Sequence, residues 1–87
     1  MDELLKSLQG LLAIESIARR DQAAPFGDGV AQALDYTLSL CQRMGFRTKN
    51  AGGLYGYAEI GEGKEIIGCL GHLDVVPAGD GWHYPPY

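Results

Sequence analysis

Residues 65–82, which read EIIGCLGHLDVVPAGDGW, constrain the fold of this chain more than any other stretch. The part from Ile66 to Gly71 contains only apolar residues and glycines, without alternation of polar and apolar positions. A run of this kind is typical of a strand that is buried on both faces of an α/β sheet. The sequence therefore predicts a central strand at this point.

A histidine and an aspartate, His72 and Asp74, come directly after the predicted strand. In open α/β sheets ligands bind beyond the carboxyl ends of the strands. Neutral imidazole is the commonest protein ligand for zinc, and its other ring N–H usually goes to a carboxylate or a carbonyl. In an extended chain Asp74 lies on the same face as His72, so it is placed to be that partner. The spacing alone equally fits a pair that only satisfies loop hydrogen bonds.

Two helices and a hairpin are predicted before this strand. The second helix begins at Gly27 and Asp28 and ends at Gly45. Residues 46–50 and 54–60 are predicted strands, and the small face around Gly56 favours close approach by a helix or by another backbone segment. The first helix is predicted by leucines at three- and four-residue spacing, which we expect to lie in the core: Leu4, Leu5, Leu8, Leu11 and Leu12.

The composition excludes several classes of partner. A formal charge of −4 and a pI near 4.9 argue against nucleic acid and anionic membranes, which both reward a clustered basic surface. No apolar stretch approaches the ~20 residues that span a bilayer, and the N-terminus lacks the features of a secretory signal. We therefore expect a cytoplasmic protein, in which Cys41 and Cys69 are reduced core residues.

The length of 87 residues allows one small domain at most. Residues 82–87 leave the predicted site and end without an element that would cover the sheet. Such a sheet has exposed edges and a bare face. We therefore expect the chain to be the beginning of a larger protein, and to self-associate by edge pairing or by exchanging an element when isolated.

Several segments together resemble a known enzyme family. The pattern of residues 71–82 and 84–86, GHLDVVPAGDGW and YPP, is similar to the first metal motif of the co-catalytic zinc metallopeptidases. That family contains aminoacylases, glutamate carboxypeptidases, succinyl-diaminopimelate desuccinylases and dipeptidases. The long form of the motif most resembles the bacterial dipeptidases related to carnosinase. The chain also resembles the N-terminal region of these dipeptidases at further positions, which are Phe26, Gly27, Gly29, Val30, Met44, Gly45 and Phe46.

The resemblance implies that His72 binds one of two zinc ions and that Asp74 orients its imidazole, as part of the catalytic machinery. The remaining ligands and the general base of the family have no counterpart in residues 1–87. The implied fold is α/β, with two helices and then three strands, as an incomplete N-terminal portion of a three-layer α/β/α catalytic domain. The implied reaction is hydrolysis of an amide bond in a dipeptide or N-acyl amino acid, with residues 1–87 inactive alone.

Other interpretations stay open at this stage. His72, Asp74, Asp80 and His83 would suit a local mononuclear site, although Pro77 intervenes. One His and one carboxylate also suit cobalt or manganese. The chain is alternatively a non-catalytic interaction protein that retains a remnant of the peptidase fold, or a generic α/β domain. The aromatic residues near the end fit either a substrate pocket or local packing: Trp82, Tyr84 and Tyr87.

Overall fold

The computed structural model describes residues 2–20 and 24–87, and within them the regular elements are two helices followed by a hairpin. This order confirms the mixed α/β class, both predicted helices and the predicted hairpin. No helix among these residues is long and apolar enough to cross a membrane. The elements are α1 (Asp2–Leu12), α2 (Asp28–Arg43), β1 (Arg47–Ala51) and β2 (Tyr55–Glu59).

The hairpin pairs β1 and β2 antiparallel, with Arg47 opposite Glu59 and Ala51 opposite Tyr55. The Asn50 side chain shapes its turn, because the carboxamide oxygen accepts the main-chain N–H of Gly53 at 2.8 Å. Such a bond from an Asn side chain to the backbone stabilises a tight turn. The short connection is therefore built from the polar and small residues that the sequence places between the strands.

Helix α2 packs on the small face of β2, as the sequence predicts. A Cβ atom added to Gly56 would lie 2.8 Å from Cδ1 of Leu38 and 3.0 Å from Cδ1 of Leu34, so a larger residue would not fit. On the opposite face, Tyr55 and Tyr57 are 62% and 47% exposed. The contact between α2 and β2 thus depends on the missing side chain of Gly56.

Helix α1 is joined to α2 by the hydroxyl of Tyr36, which donates to the main-chain carbonyl of Ser7 at 2.8 Å. The expectation that its leucine face lies in the core is wrong for most of the stripe. Leu4 and Leu8 are 63% and 47% exposed, and Leu5 and Leu12 are exposed as well. The reason is that α1 contacts α2 along one side only, and no other described element covers the leucines.

The predicted third strand does not form among the described residues, and the sheet has two strands. Ile66, Ile67 and Leu70 are almost fully exposed, and the neighbouring Cys69 is exposed rather than buried as expected. A strand exists through hydrogen bonds to a neighbouring strand, and the hairpin offers residues 65–71 no such pairing here. The apolar pattern indicates that the segment is suited to a buried position, but burial also requires other elements that pack on both of its faces. Both Cys41 and Cys69 are free, as expected.

Candidate functional site

The segment that carries His72 and Asp74 is attached to the connection after α1. Val75 forms an isolated parallel bridge with Ile17, and its N–H donates to the carbonyl of Ser16 at 2.9 Å. The hydroxyl of Ser16 donates in turn to the carbonyl of Leu73 at 2.7 Å. Ser16 is only 3% exposed, so water competes little for these bonds. The segment therefore has a defined backbone path although it belongs to no sheet.

The connection that contains Ser16 is itself packed against the start of α2. A Cβ atom added to Gly29 would collide with the carbonyl oxygen of Glu15. Only glycine allows the two backbones to approach this closely. Gly29 therefore fixes how near the Ser16 connection lies to α2.

The imidazole of His72 is directed at Asp74. Its Nδ1 atom lies 3.2 Å from a carboxylate oxygen of Asp74 and 3.1 Å from the main-chain oxygen of the same residue. Both neighbours are acceptors, so a neutral ring carries its hydrogen on Nδ1 and keeps the lone pair on Nε2. The side chains of His72 and Asp74 are 83% and 55% exposed. The arrangement leaves Nε2 able to act as a ligand or as a proton acceptor.

A cavity of about 460 Å³ adjoins this pair, between α2, the hairpin turn and residues 70–74. His72 and Asp74 are part of its lining. The other walls are mainly apolar and are formed by Phe26, Val30, Leu34, Leu54 and Leu70. Open space beside a histidine and a carboxylate is the arrangement expected of a ligand site.

The final loop does not join His72 in a metal site. Among the residues that the structure describes, no group of three or more His, Cys, Asp or Glu side chains is arranged to hold a metal ion. This argues against the alternative of a local mononuclear site formed by His72, Asp74, Asp80 and His83. The spacing left the course of the loop after Pro77 undetermined, and tertiary structure keeps these side chains apart.

One aromatic residue of this loop makes a local hydrogen bond. The indole N–H of Trp82 donates to the carbonyl of Ala78 at 3.0 Å, which closes a turn within the loop. Residues 80–85 surround a shallow depression of about 400 Å³. A substrate-binding role for Trp82, Tyr84 or Tyr87 stays a prediction.

Ser16 is the residue at this site that sequence reasoning missed. Its partner Leu73 lies 57 positions further along the chain. No local signal marks it, because a serine in a connection more often bonds its own backbone neighbours. The packing of the connection against α2 is what turns an ordinary serine into an anchor.

Comparison with known proteins gives similarity along essentially the whole chain. No protein-family model matches it. Staphylococcus aureus proteins named "Putative dipeptidase", from strains USA300, NCTC 8325 and COL, are each 44% identical over 89 aligned positions, which cover 99% of this chain. The chain spans 19% of the length of each of these relatives. It is thus similar to one part of a group of larger proteins that carry the name dipeptidase.

Proposed function

We propose that this chain is the N-terminal portion of the catalytic domain of a zinc-dependent dipeptidase. His72 would be one metal ligand, and Asp74 the carboxylate that orients it. The observation that carries the proposal is the Nδ1 contact of His72 with Asp74, which leaves Nε2 free beside a cavity. The name of the similar S. aureus proteins supports the dipeptidase assignment, and the GHLDVVP motif supports a metal of the zinc-peptidase type.

The donor set of this site fits zinc in part. A neutral imidazole with its second nitrogen held by a carboxylate is the usual form of a zinc-binding histidine. A catalytic zinc needs ~3 protein ligands, whereas residues 2–20 and 24–87 contain no cluster of three candidates. We infer that the other ligands lie outside the 87 residues, in the length that the relatives have in addition.

This partial fit assigns separate roles to the zinc ion, to His72 and to Asp74. Zinc, when bound, polarises the scissile carbonyl and activates water for attack. His72 supplies Nε2 as a neutral donor, and Asp74 keeps the proton on Nδ1 and limits rotation of the ring. The substrate is a dipeptide or an N-acyl amino acid, and the compartment is the cytoplasm. Residues 1–87 alone are inactive, because the residues that the structure describes supply too few ligands and no identified general base.

The complete reading frame that contains these residues provides the test. The purified protein should contain two zinc ions and hydrolyse dipeptides such as Leu-Leu, and chelation followed by zinc addition should abolish and restore hydrolysis. His72→Ala should lower the zinc content of the purified protein and its activity. The loss of activity should exceed the ~10- to 100-fold that follows removal of a residue that hydrogen-bonds a metal ligand. Cobalt and manganese, added to the chelated protein, would reveal whether another ion serves better.

His83→Ala is the matched control, because it removes a second exposed histidine from the same part of the chain. It should leave zinc content and hydrolysis unchanged. Full activity of His72→Ala, or dipeptide hydrolysis by the isolated 87-residue chain, would contradict the proposal.

A second candidate function rests on a different observation. The apolar side chains of Ile66, Ile67 and Leu70 are 89%, 97% and 104% exposed, which suits a surface that binds another protein. The chain would then be a non-catalytic interaction protein with a remnant of the peptidase fold. A genuine stop codon after residue 87 in the gene would favour this alternative, and an open frame with further acidic motifs and a histidine would favour the dipeptidase.

A further inference from the structure

We propose that Ser16 is a positioning residue for the imidazole of His72, acting through the backbone of Asp74. The inference rests on the proposed function for its biological meaning, since an aligned imidazole matters most to a metal. Its structural basis is independent of any metal. It consists of two hydrogen bonds that Ser16 makes to the peptide groups on either side of Asp74.

The first step concerns which groups Ser16 holds. The carbonyl of Leu73, which accepts the Ser16 hydroxyl at 2.7 Å, belongs to the peptide group before Asp74. The N–H of Val75, which donates to the Ser16 carbonyl at 2.9 Å, belongs to the peptide group after Asp74. One residue therefore restrains both peptide planes that determine the backbone conformation of Asp74.

The second step concerns the direction of the Asp74 carbonyl. The N–H and C=O of a trans peptide group point in opposite directions, and no cis peptide bond occurs among the described residues. Because the N–H of Val75 points at Ser16, the carbonyl of Asp74 points away from Ser16. It lies 3.1 Å from Nδ1 of His72. The hydrogen bond at Ser16 thus orients the Asp74 carbonyl, which is one of the two acceptors that contact the His72 ring.

The third step concerns the difference in burial. The side chain of His72 is 83% exposed, whereas Ser16 is 3% exposed. An exposed side chain keeps most of its rotamer freedom unless fixed groups restrain it. The restraint on His72 therefore comes from Asp74, and the restraint on Asp74 comes from the buried Ser16 behind it. The close approach of Gly29 to Glu15 holds Ser16 itself in place.

The test is nuclear magnetic resonance of the histidine rings in the metal-free 87-residue chain, at a pH where histidine side chains are neutral. Two-bond correlations of ring nitrogens and carbon-bound protons distinguish the Nδ1–H from the Nε2–H tautomer. His83 is an internal reference, since its ring makes no hydrogen bond to the described residues. His72 should populate Nδ1–H more than His83 does. Ser16→Ala deletes the hydroxyl bond to Leu73 and leaves the main-chain bond to Val75, so it should lower the His72 ratio by about twofold, near the lower limit for one hydrogen bond.

Two variants separate positioning from general stability. Ser16→Thr keeps the hydroxyl and should retain the tautomer ratio of His72. Tyr36→Phe also deletes one hydroxyl that donates to a main-chain carbonyl, but at the contact between α1 and α2. It should leave the ratio unchanged even if it lowers the stability of the chain by as much as Ser16→Ala does.

An unchanged ratio in a folded Ser16→Ala chain would overturn the inference, and so would equal ratios for His72 and His83 in the unsubstituted chain. If Ser16→Ala does not fold, hydrogen exchange of the unsubstituted chain decides. The N–H of Val75 should exchange at least about tenfold more slowly than that of the exposed Val76, and equal rates would overturn the anchor. Because no metal is present, failure of zinc-dependent hydrolysis would leave these outcomes unaffected.

Discussion

Nδ1 of His72 lies within hydrogen-bonding distance of two oxygens of one residue, the carboxylate of Asp74 at 3.2 Å and its main-chain carbonyl at 3.1 Å. The two oxygens are not equivalent. The carboxylate is charged and is lost on substitution, whereas the carbonyl is neutral and survives every substitution at position 74. The geometry therefore provides a second acceptor for the ring that mutation of the side chain cannot remove.

Under the proposed role of His72 as a zinc ligand, this redundancy predicts a mild effect of Asp74→Ala on zinc affinity in the complete protein. Loss of an outer partner of a metal ligand usually lowers metal affinity by ~10- to 100-fold. Because the carbonyl of Asp74 still accepts from Nδ1, we expect a loss near the lower limit, about tenfold. Zinc competition with a chromophoric chelator measures it. Asp80→Ala, which removes a carboxylate from the following loop, should not change affinity, and a loss well above 100-fold for Asp74→Ala would show that the carbonyl contributes nothing.

The contact between Gly29 and Glu15 predicts that Gly29→Ala destabilises the chain. Alanine is favoured over glycine in a helix by ~1 kcal/mol, so a chain with open space at this position would gain stability. The collision with the Glu15 carbonyl instead forces backbone movement, which costs ~1–3 kcal/mol in free energy of unfolding. Urea unfolding provides the measurement. Gly68→Ala is the matched control, since a Cβ there meets no described atom within 4 Å, and equal stabilities of the two variants would refute the prediction.

The packing of α2 on β2 predicts a similar loss for Gly56→Ala. The new methyl group would meet the side chains of Leu34 and Leu38 and lie 2.9 Å from the main-chain oxygen of Lys49 in β1. The leucines can move, but the strand backbone cannot yield without disturbing the hairpin. We expect a loss of ~1–3 kcal/mol in thermal unfolding. Gly71→Ala, with no described atom near the added Cβ, should change stability little, and a Gly56→Ala chain as stable as the unsubstituted one would contradict the packing.

The exposed apolar segment predicts self-association of the isolated chain. Ile67 is 97% exposed and lies beside Ile66, so two copies would bury apolar surface by bringing these segments together. Ile67→Lys should raise the concentration at which association begins, as measured by sedimentation velocity. Ser39→Lys adds the same charge on an exposed position of α2 and should have no effect. A stable monomer of the unsubstituted chain at millimolar concentration would argue against association through this segment.

Local sequence pattern is sufficient to predict the elements whose stability depends on residues close to each other in sequence. Helix α2 follows from its apolar stripe and its glycine boundaries, and the hairpin follows from two short strands joined by Asn50 and small residues. The small face of β2 predicts close approach by a helix or by another backbone segment, and the contact of Gly56 with Leu34 and Leu38 shows that α2 is the element that approaches. The pair His72 and Asp74 was also placed on one side of the chain correctly, because an extended backbone puts alternate side chains on the same face.

The amino-acid sequence by itself thus determined what can be decided by periodicity and by residue spacing of two to four positions. Tertiary structure alone decided the rest. Residues 66–71 have the composition of an interior strand, yet they lie exposed, because a strand is stabilised by hydrogen bonds to partner strands that local sequence does not specify. Ser16 became an anchor for Asp74 only because Gly29 and the packing of α2 bring it against a segment 57 residues later. Hydrogen bonds across such distances depend on the folded path of the backbone, and no local pattern encodes that path.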